Sequence, residues 1–261
     1  MSRSRSGLAA IALVALFSGS INHAEEPNPN DFTFDEFLIA PVRVHLMSAK
    51  GVPEWETTLS EKDLARVLTK VNRVWSQAGV CFYIESLVRE EAANQDLSSE
   101  LKSQSDLRWL LLLRPDSSKS EHQFHLYYIK RMPVNGIYFR EAIFVKDTAS
   151  LRNVEGGIDE PLPRVSSHEL GHALSLPHRQ ATTNLMASGT TGTRLNQQEI
   201  DQARKAARRF EWIQTAPDIL KRANELYEAE KMTEARKLYE ALGGLPVKSE
   251  AVERAKNRAA E

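Results

Sequence analysis

Apolar residues fall into two rhythms along the first two-thirds of the chain. From 37 to 48 the run FLIAPVRVHLMS is apolar and β-branched, which reads as a strand. From 60 to 78 the spacing changes: Leu64, Val67, Leu68, Val71, Val74, Trp75 and Ala78 recur every three or four residues, the mark of one helical face. Ser60 can cap that helix and Gly79 can end it. VCFYIESLV (80–88) reads as a second strand. Residues 92–122 are polar around an apolar knot, LRWLLLL, and suggest a helix and loop. Three short strand candidates follow at 124–130, 136–139 and 142–147. After the glycine- and proline-rich SLRNVEGGIDEPLPR, helical patterns return over 163–175 and again after Asn196, where Glu199 three residues on completes a capping box for a helix running through Phe210.

Pro217 opens a region of different texture. DILKRANELYEAEKMTEARKLYEALGGLP reads as two short amphipathic helices with a Gly-Gly stop. Its small and aromatic positions, Ala223, Tyr227, Ala235 and Tyr239, resemble one tetratricopeptide repeat. A single repeat cannot bury its own face. Residues 217–261 are therefore expected to form a helical appendage packed on the main domain; the alternative is a peptide-binding repeat.

The N-terminus stands apart from both. MSRSRSGLAAIALVALFSGSINHAEE pairs Arg3 and Arg5 with an apolar run from Leu8 to Phe17, the form of a secretory signal and too short to span a bilayer. Residues 1–24 are expected to be a signal peptide, cleaved after Ala24 or Ser20, with an uncleaved anchor as the alternative. Residues 25–36, with two prolines and several acids, form a lead-in. An exported protein, periplasmic or secreted, is the expectation, with no stable membrane insertion once the signal is gone.

Composition narrows the partners. The chain has 261 residues, 41% hydrophobic and 26% charged, with a net charge of −1, so nothing favours nucleic acid or an anionic membrane. Its one cysteine, Cys81, excludes an internal disulfide and sits in an apolar run as a small hydrophobe.

The chemistry concentrates in SSHELGHALSLPHRQATTNLMASG. Residues four apart share a helix face, so His168 and His172 can bind one metal ion together. Glu169 lies beside the first of them, placed to take a proton from water at an open coordination position. Zinc held by three protein ligands keeps such a position and brings bound water to a pKa of about 7. His178 is six residues past His172, out of reach along a straight helix. Pro177 disfavours helical geometry at Leu176, so the chain can turn back and present His178. A surface helix that merely carries two histidines is the competing reading, and the Pro177–His178 pair weakens it.

HELGHALSLPH resembles the extended zinc signature of the metzincin metallopeptidases. Met186, eight residues after His178, resembles that family's Met-turn, and the spacing is similar to the matrixin branch. The resemblance implies one catalytic zinc held by His168, His172 and His178, Glu169 as general base and Met186 as a structural floor. It also implies an α/β (α+β) fold over 37–216: a mixed sheet, an active-site helix and a small lower helical subdomain. The implied activity is a zinc-dependent endopeptidase acting on extended peptides or proteins, with the strand around 142–146 as the candidate edge for substrate. Two alternatives remain: a catalytically silent binding protein on the same shell, against which Glu169 argues, and a zinc hydrolase of a non-protein, cell-wall amide. Ser175 stands where the family has glycine, at a cost of about 1 kcal/mol if its backbone is left-handed. Position 188 is serine, so the tyrosine ligand of other branches is not expected. His45, His122 and His125 are poor ligand candidates, since His122 and His125 point to opposite faces of a strand. The C-terminal helices offer a surface for protein contact.

Overall fold

The computed structural model describes Phe34 and residues 36–260, apart from 104, 117, 118, 121 and 141. The expected signal peptide, with nearly all of the lead-in, lies outside the described residues. Among those described, no helix is long and apolar enough to cross a membrane.

The fold is mixed α/β. Strands β1 (Leu38–Ser48), β2 (Val80–Glu91), β3 (Phe124–Ile129), β4 (Gly136–Phe139) and β5 (Ala142–Lys146) form one sheet in the order β2-β1-β3-β5-β4. β1 runs parallel to β2 and β3, and β3 parallel to β5; β4 alone of these five is antiparallel to its neighbour. The two-residue β6 (Gln214–Thr215) pairs with the start of β1. This order corrects one expectation: β5 is interior, and the edge is β4. Nothing local separates two short apolar runs six residues apart; which becomes the edge depends on pairing with β3, 13 or more residues upstream of β5 in sequence.

Each face of the sheet meets a different cover. The even positions of β1, from Leu38 to Leu46, pack with helix α1 (Glu61–Trp75) and helix α3 (Pro161–Ala173) in the main core. Ser60 and Asp63 form a capping box at the start of α1, and Gly79 ends its 3₁₀ extension in the left-handed conformation. On the other face, Phe37, Ile39 and Cys81 lie under helices α5 (Ala216–Glu228), α6 (Met232–Gly243) and α7 (Glu250–Ala260). Burial there pushes the Cys81 thiol up to about 12, which keeps it an inert hydrophobe. The third helix is not among the sequence expectations; its buried face is made of the small residues Ala251, Val252 and Ala255. Farther along the same face, Met47, Tyr127 and Phe144 meet Trp109, Leu110 and Leu113 from a 3₁₀ helix over Leu107–Leu113. A short helix α2 (Ser98–Ser103) precedes it, and helix α4 (Gln197–Ala207) closes the main domain.

Candidate metal centre

Helix α3 begins at Pro161 and ends by a backbone device that aims the site. Ser175 has φ 67°. Its N–H bonds the His172 carbonyl and the Leu176 N–H bonds the Gly171 carbonyl, both at 2.9 Å. These are the paired bonds of a Schellman motif, in which the left-handed residue is usually glycine. The chain thus reverses at Ser175, Pro177 prevents the helix from resuming, and His178 returns toward the helix.

The result is convergence. His168, His172 and His178 each offer a ligand nitrogen, all within 4.8 Å of one another. His172 Nε2 lies 3.2 Å from His168 Nε2 and 3.1 Å from His178 Nε2. Nitrogens about 2.0–2.1 Å from a tetrahedral ion sit roughly 3.3 Å apart, so the spacing fits zinc. The outer nitrogens are also fixed: His168 Nδ1 faces the Leu185 carbonyl and His172 Nδ1 the Leu176 carbonyl, each at 2.8 Å. A carbonyl only accepts, so Nδ1 carries the proton and Nε2 presents a lone pair. Burial, aided by the Arg164 guanidinium, pushes His168 down to about 3, and burial lowers His172 as well. Both are therefore neutral ligands near pH 7. The three imidazoles are a donor set suited to one zinc ion, buried at His168 and exposed at His178.

Met186 packs against helix α3 at Gly171. A Cβ added to Gly171 would lie 2.6 Å from the Met186 sulfur, so glycine at this helical position is what admits it. The turn bearing Met186 is held by Glu199, fully buried at the start of α4. Glu199 accepts from Arg179 Nε (2.6 Å) and Asn184 Nδ2 (2.8 Å), while Asn184 Oδ1 accepts from the Met186 N–H. Burial pushes the Glu199 carboxyl up, but bonds from Asn196, Arg179 and Asn184 outweigh it and leave it low. Sequence reasoning saw Glu199 only as a helix cap; its second role requires knowing that the 179–186 loop folds back over α4.

Glu169 is buried beside the triad against the start of β4. A Cβ on Gly136 would lie 2.5 Å from Glu169 Oε1, so this glycine makes room for the carboxylate. Burial pushes Glu169 up to about 8, with Arg164 pulling the other way. Glu169 borders two hollows. One of about 570 Å³ lies between Ile137, Tyr138, His172 and Pro177, and one of about 280 Å³ lies toward Arg164 and Leu151. The edge strand β4 therefore walls a cleft running past the triad. His45, His122 and His125 lie elsewhere. His45 and His125 bond each other in the sheet's second face, and His122 lines a hollow beside α5 and α6.

No protein-family model and no curated protein matches the chain. Solved structures similar to it include an archaemetzincin from Methanopyrus kandleri, 14% identical, covering 65% of this chain and 96% of that one with a TM-score of 0.45. Another is a zinc-dependent peptidase from Methanocorpusculum labreanum (strain Z), 13% identical, covering 64% and 99% with a TM-score of 0.32. With TM-scores under 0.5, neither likeness extends to how this chain acts.

Proposed function

We propose that the chain is an exported zinc-dependent endopeptidase of metzincin type, with Met186 as its Met-turn and with the spacing of the matrixin branch. The observation that carries this is the meeting of three histidine nitrogens, with the outer protons of His168 and His172 directed to carbonyls, beside a buried carboxyl in an open cleft. A zinc ion bound there would polarise the substrate carbonyl and acidify water at its open side. Glu169 takes the proton of the attacking water and returns it to the leaving amine. Burial raises this carboxyl to about 8 and the Arg164 charge lowers it; the positive charge of a zinc ion would lower it further, toward the ionised form a general base needs. β4, with one side unpaired among the described strands, offers backbone N–H and C=O groups to an extended peptide. The N-terminal charge and hydropathy pattern supports export.

Glu169→Gln tests the mechanism. It keeps shape and a hydrogen-bonding group but removes the base. Zinc content and folding are expected to stay near wild type while hydrolysis of a peptide library falls by at least about a hundredfold. Equal turnover in the zinc-loaded variant overturns the mechanism, and inactivity of both proteins across the library favours a binding protein on the same shell.

A further inference from the structure

Arg164 lies one helical turn before His168 and is 2% exposed. Its Nε donates to the Gly192 carbonyl at 2.6 Å and its Nη2 to the Ala187 carbonyl at 2.5 Å. Both acceptors are neutral, and Nη1 has no hydrogen bond among the described residues. Buried charges are ordinarily paired, because removing a lone charge from water is costly. Arg164 makes no direct ion pair with any described carboxylate; burial pulls it down to about 10, with the nearby Glu169 acting the other way. It nevertheless forms part of the wall of the 280 Å³ hollow that opens beside Glu169 and His178, with Val134 and Leu151 as apolar walls and Ser188 at the rim. A cation at the wall, apolar sides and a mouth at the triad describe a place for a short aliphatic stem ending in an anion.

We propose that Arg164 is a specificity-determining residue whose guanidinium pairs with a carboxylate that the substrate brings into this hollow. The inference rests on the hydrolase reading above, since it is the substrate lying along the cleft that delivers the carboxylate. Two sources share this chemistry: an acidic side chain next to the scissile bond, or the substrate's own C-terminus. A peptide acid approaching Arg164 also passes Glu169, so the guanidinium must outweigh that repulsion for any preference to appear.

The test uses peptide pairs that differ only by Glu or Gln beside the scissile bond, each with a free or an amidated C-terminus. Cleavage by the zinc-loaded full chain is measured as kcat/KM. Binding to the zinc-loaded Glu169→Gln protein is measured by calorimetry, so that affinity is read without turnover. The expected result is a preference of about tenfold or more for the carboxylate-bearing peptide in both measurements, removed by Arg164→Gln. Because that change also removes bonds to two loop carbonyls, a second variant is needed. Ser188→Glu adds a carboxylate at the exposed rim and is expected to shrink the preference. A preference that follows the free terminus instead of the side chain assigns the carboxylate to the chain end. Equal cleavage of all peptides overturns the role of Arg164 and leaves the hydrolase reading standing. Acid-selective binding with no cleavage by the wild type overturns the hydrolase reading and keeps the anion site.

Discussion

Two groups of histidines meet in this molecule at nearly the same separation, with different partners on their outer nitrogens. His45 Nε2 lies 2.9 Å from His125 Nδ1, while His45 Nδ1 meets Glu90 Oε1 at 2.8 Å and His125 Nε2 meets the Ser120 backbone. His45 donates to Glu90, and His125 Nε2 faces the Ser120 carbonyl at 3.0 Å as well as the Ser120 Oγ and N–H at 3.3 and 3.4 Å, so either tautomer of His125 finds a partner and a proton can lie between the two rings. At the triad the protons of His168 and His172 are already committed to the Leu185 and Leu176 carbonyls. Between those two rings, with Nε2 to Nε2 at 3.2 Å, lone pair meets lone pair, which a cation satisfies. Proximity of imidazoles is therefore not the signal of a metal site; the outer partners are.

The contrast is broken most directly by removing one ring from each group. His172→Asn is expected to weaken zinc binding by more than the roughly 10- to 100-fold that loss of an outer partner costs, whereas His125→Asn should leave zinc content unchanged by atomic absorption. Equal loss in both variants would erase the distinction.

Acid is the next lever. Burial pushes His125 down to about 4 from an ordinary 6.5, with its neighbour His45 adding to the effect. The unfolded chain therefore takes up this proton first, and stability falls as pH drops from about 6.5 to about 4. The size is roughly 3 kcal/mol. Denaturant curves of the wild type and His125→Gln should converge as pH falls through that window; parallel curves would show that the buried pair is not neutral.

Smaller effects follow from the groups behind the ligands. Glu199→Gln loosens Asn184 and Arg179, and with them the turn that supplies the Leu185 carbonyl. A loss of about tenfold in zinc affinity is expected, within the range for an outer partner. Unaltered affinity by competition with a chelator would confine Glu199 to helix capping. Smallest is Ser175→Gly, which relieves a left-handed serine while keeping the Schellman turn. It should raise stability by about 1 kcal/mol, read as a higher Tm, and a lower Tm would mean that the serine side chain contributes something its backbone angle does not reveal.

What the chain revealed in advance follows the range of the interactions. The strands, α1, and the capping boxes at Ser60 and Asn196 are set by neighbours within a few residues, and their patterns are plain. The convergence of His168, His172 and His178 is also local: one i,i+4 pair, one chain reversal and one proline. The sheet order is not local, which is why β5 was mistaken for the edge. His45 and His125 looked unremarkable one at a time because their partner lies 80 positions away. Arg164 and Gly136 gave no signal either. One reads as an ordinary charged helical residue and the other as a turn, until β4 and the 187–192 loop are in place around Glu169.

The locality of the site has a consequence in time as well as space. Gly171, the three histidines, Met186 and Glu199 all fall within the span from α3 to α4, with hydrogen-bond partners no more than about 20 residues away. The sheet instead joins β1 to β3 across some 80 residues. Short loops close at little entropic cost and favour rapid formation. The reversal at Ser175 and the Glu199-bound turn can thus organise as an early folding unit, onto which the slower sheet later docks. On that order of events the hollow before Arg164 and the cleft under β4 are the last parts to form, so a nascent chain acquires its histidine cluster before it acquires anywhere to hold a substrate.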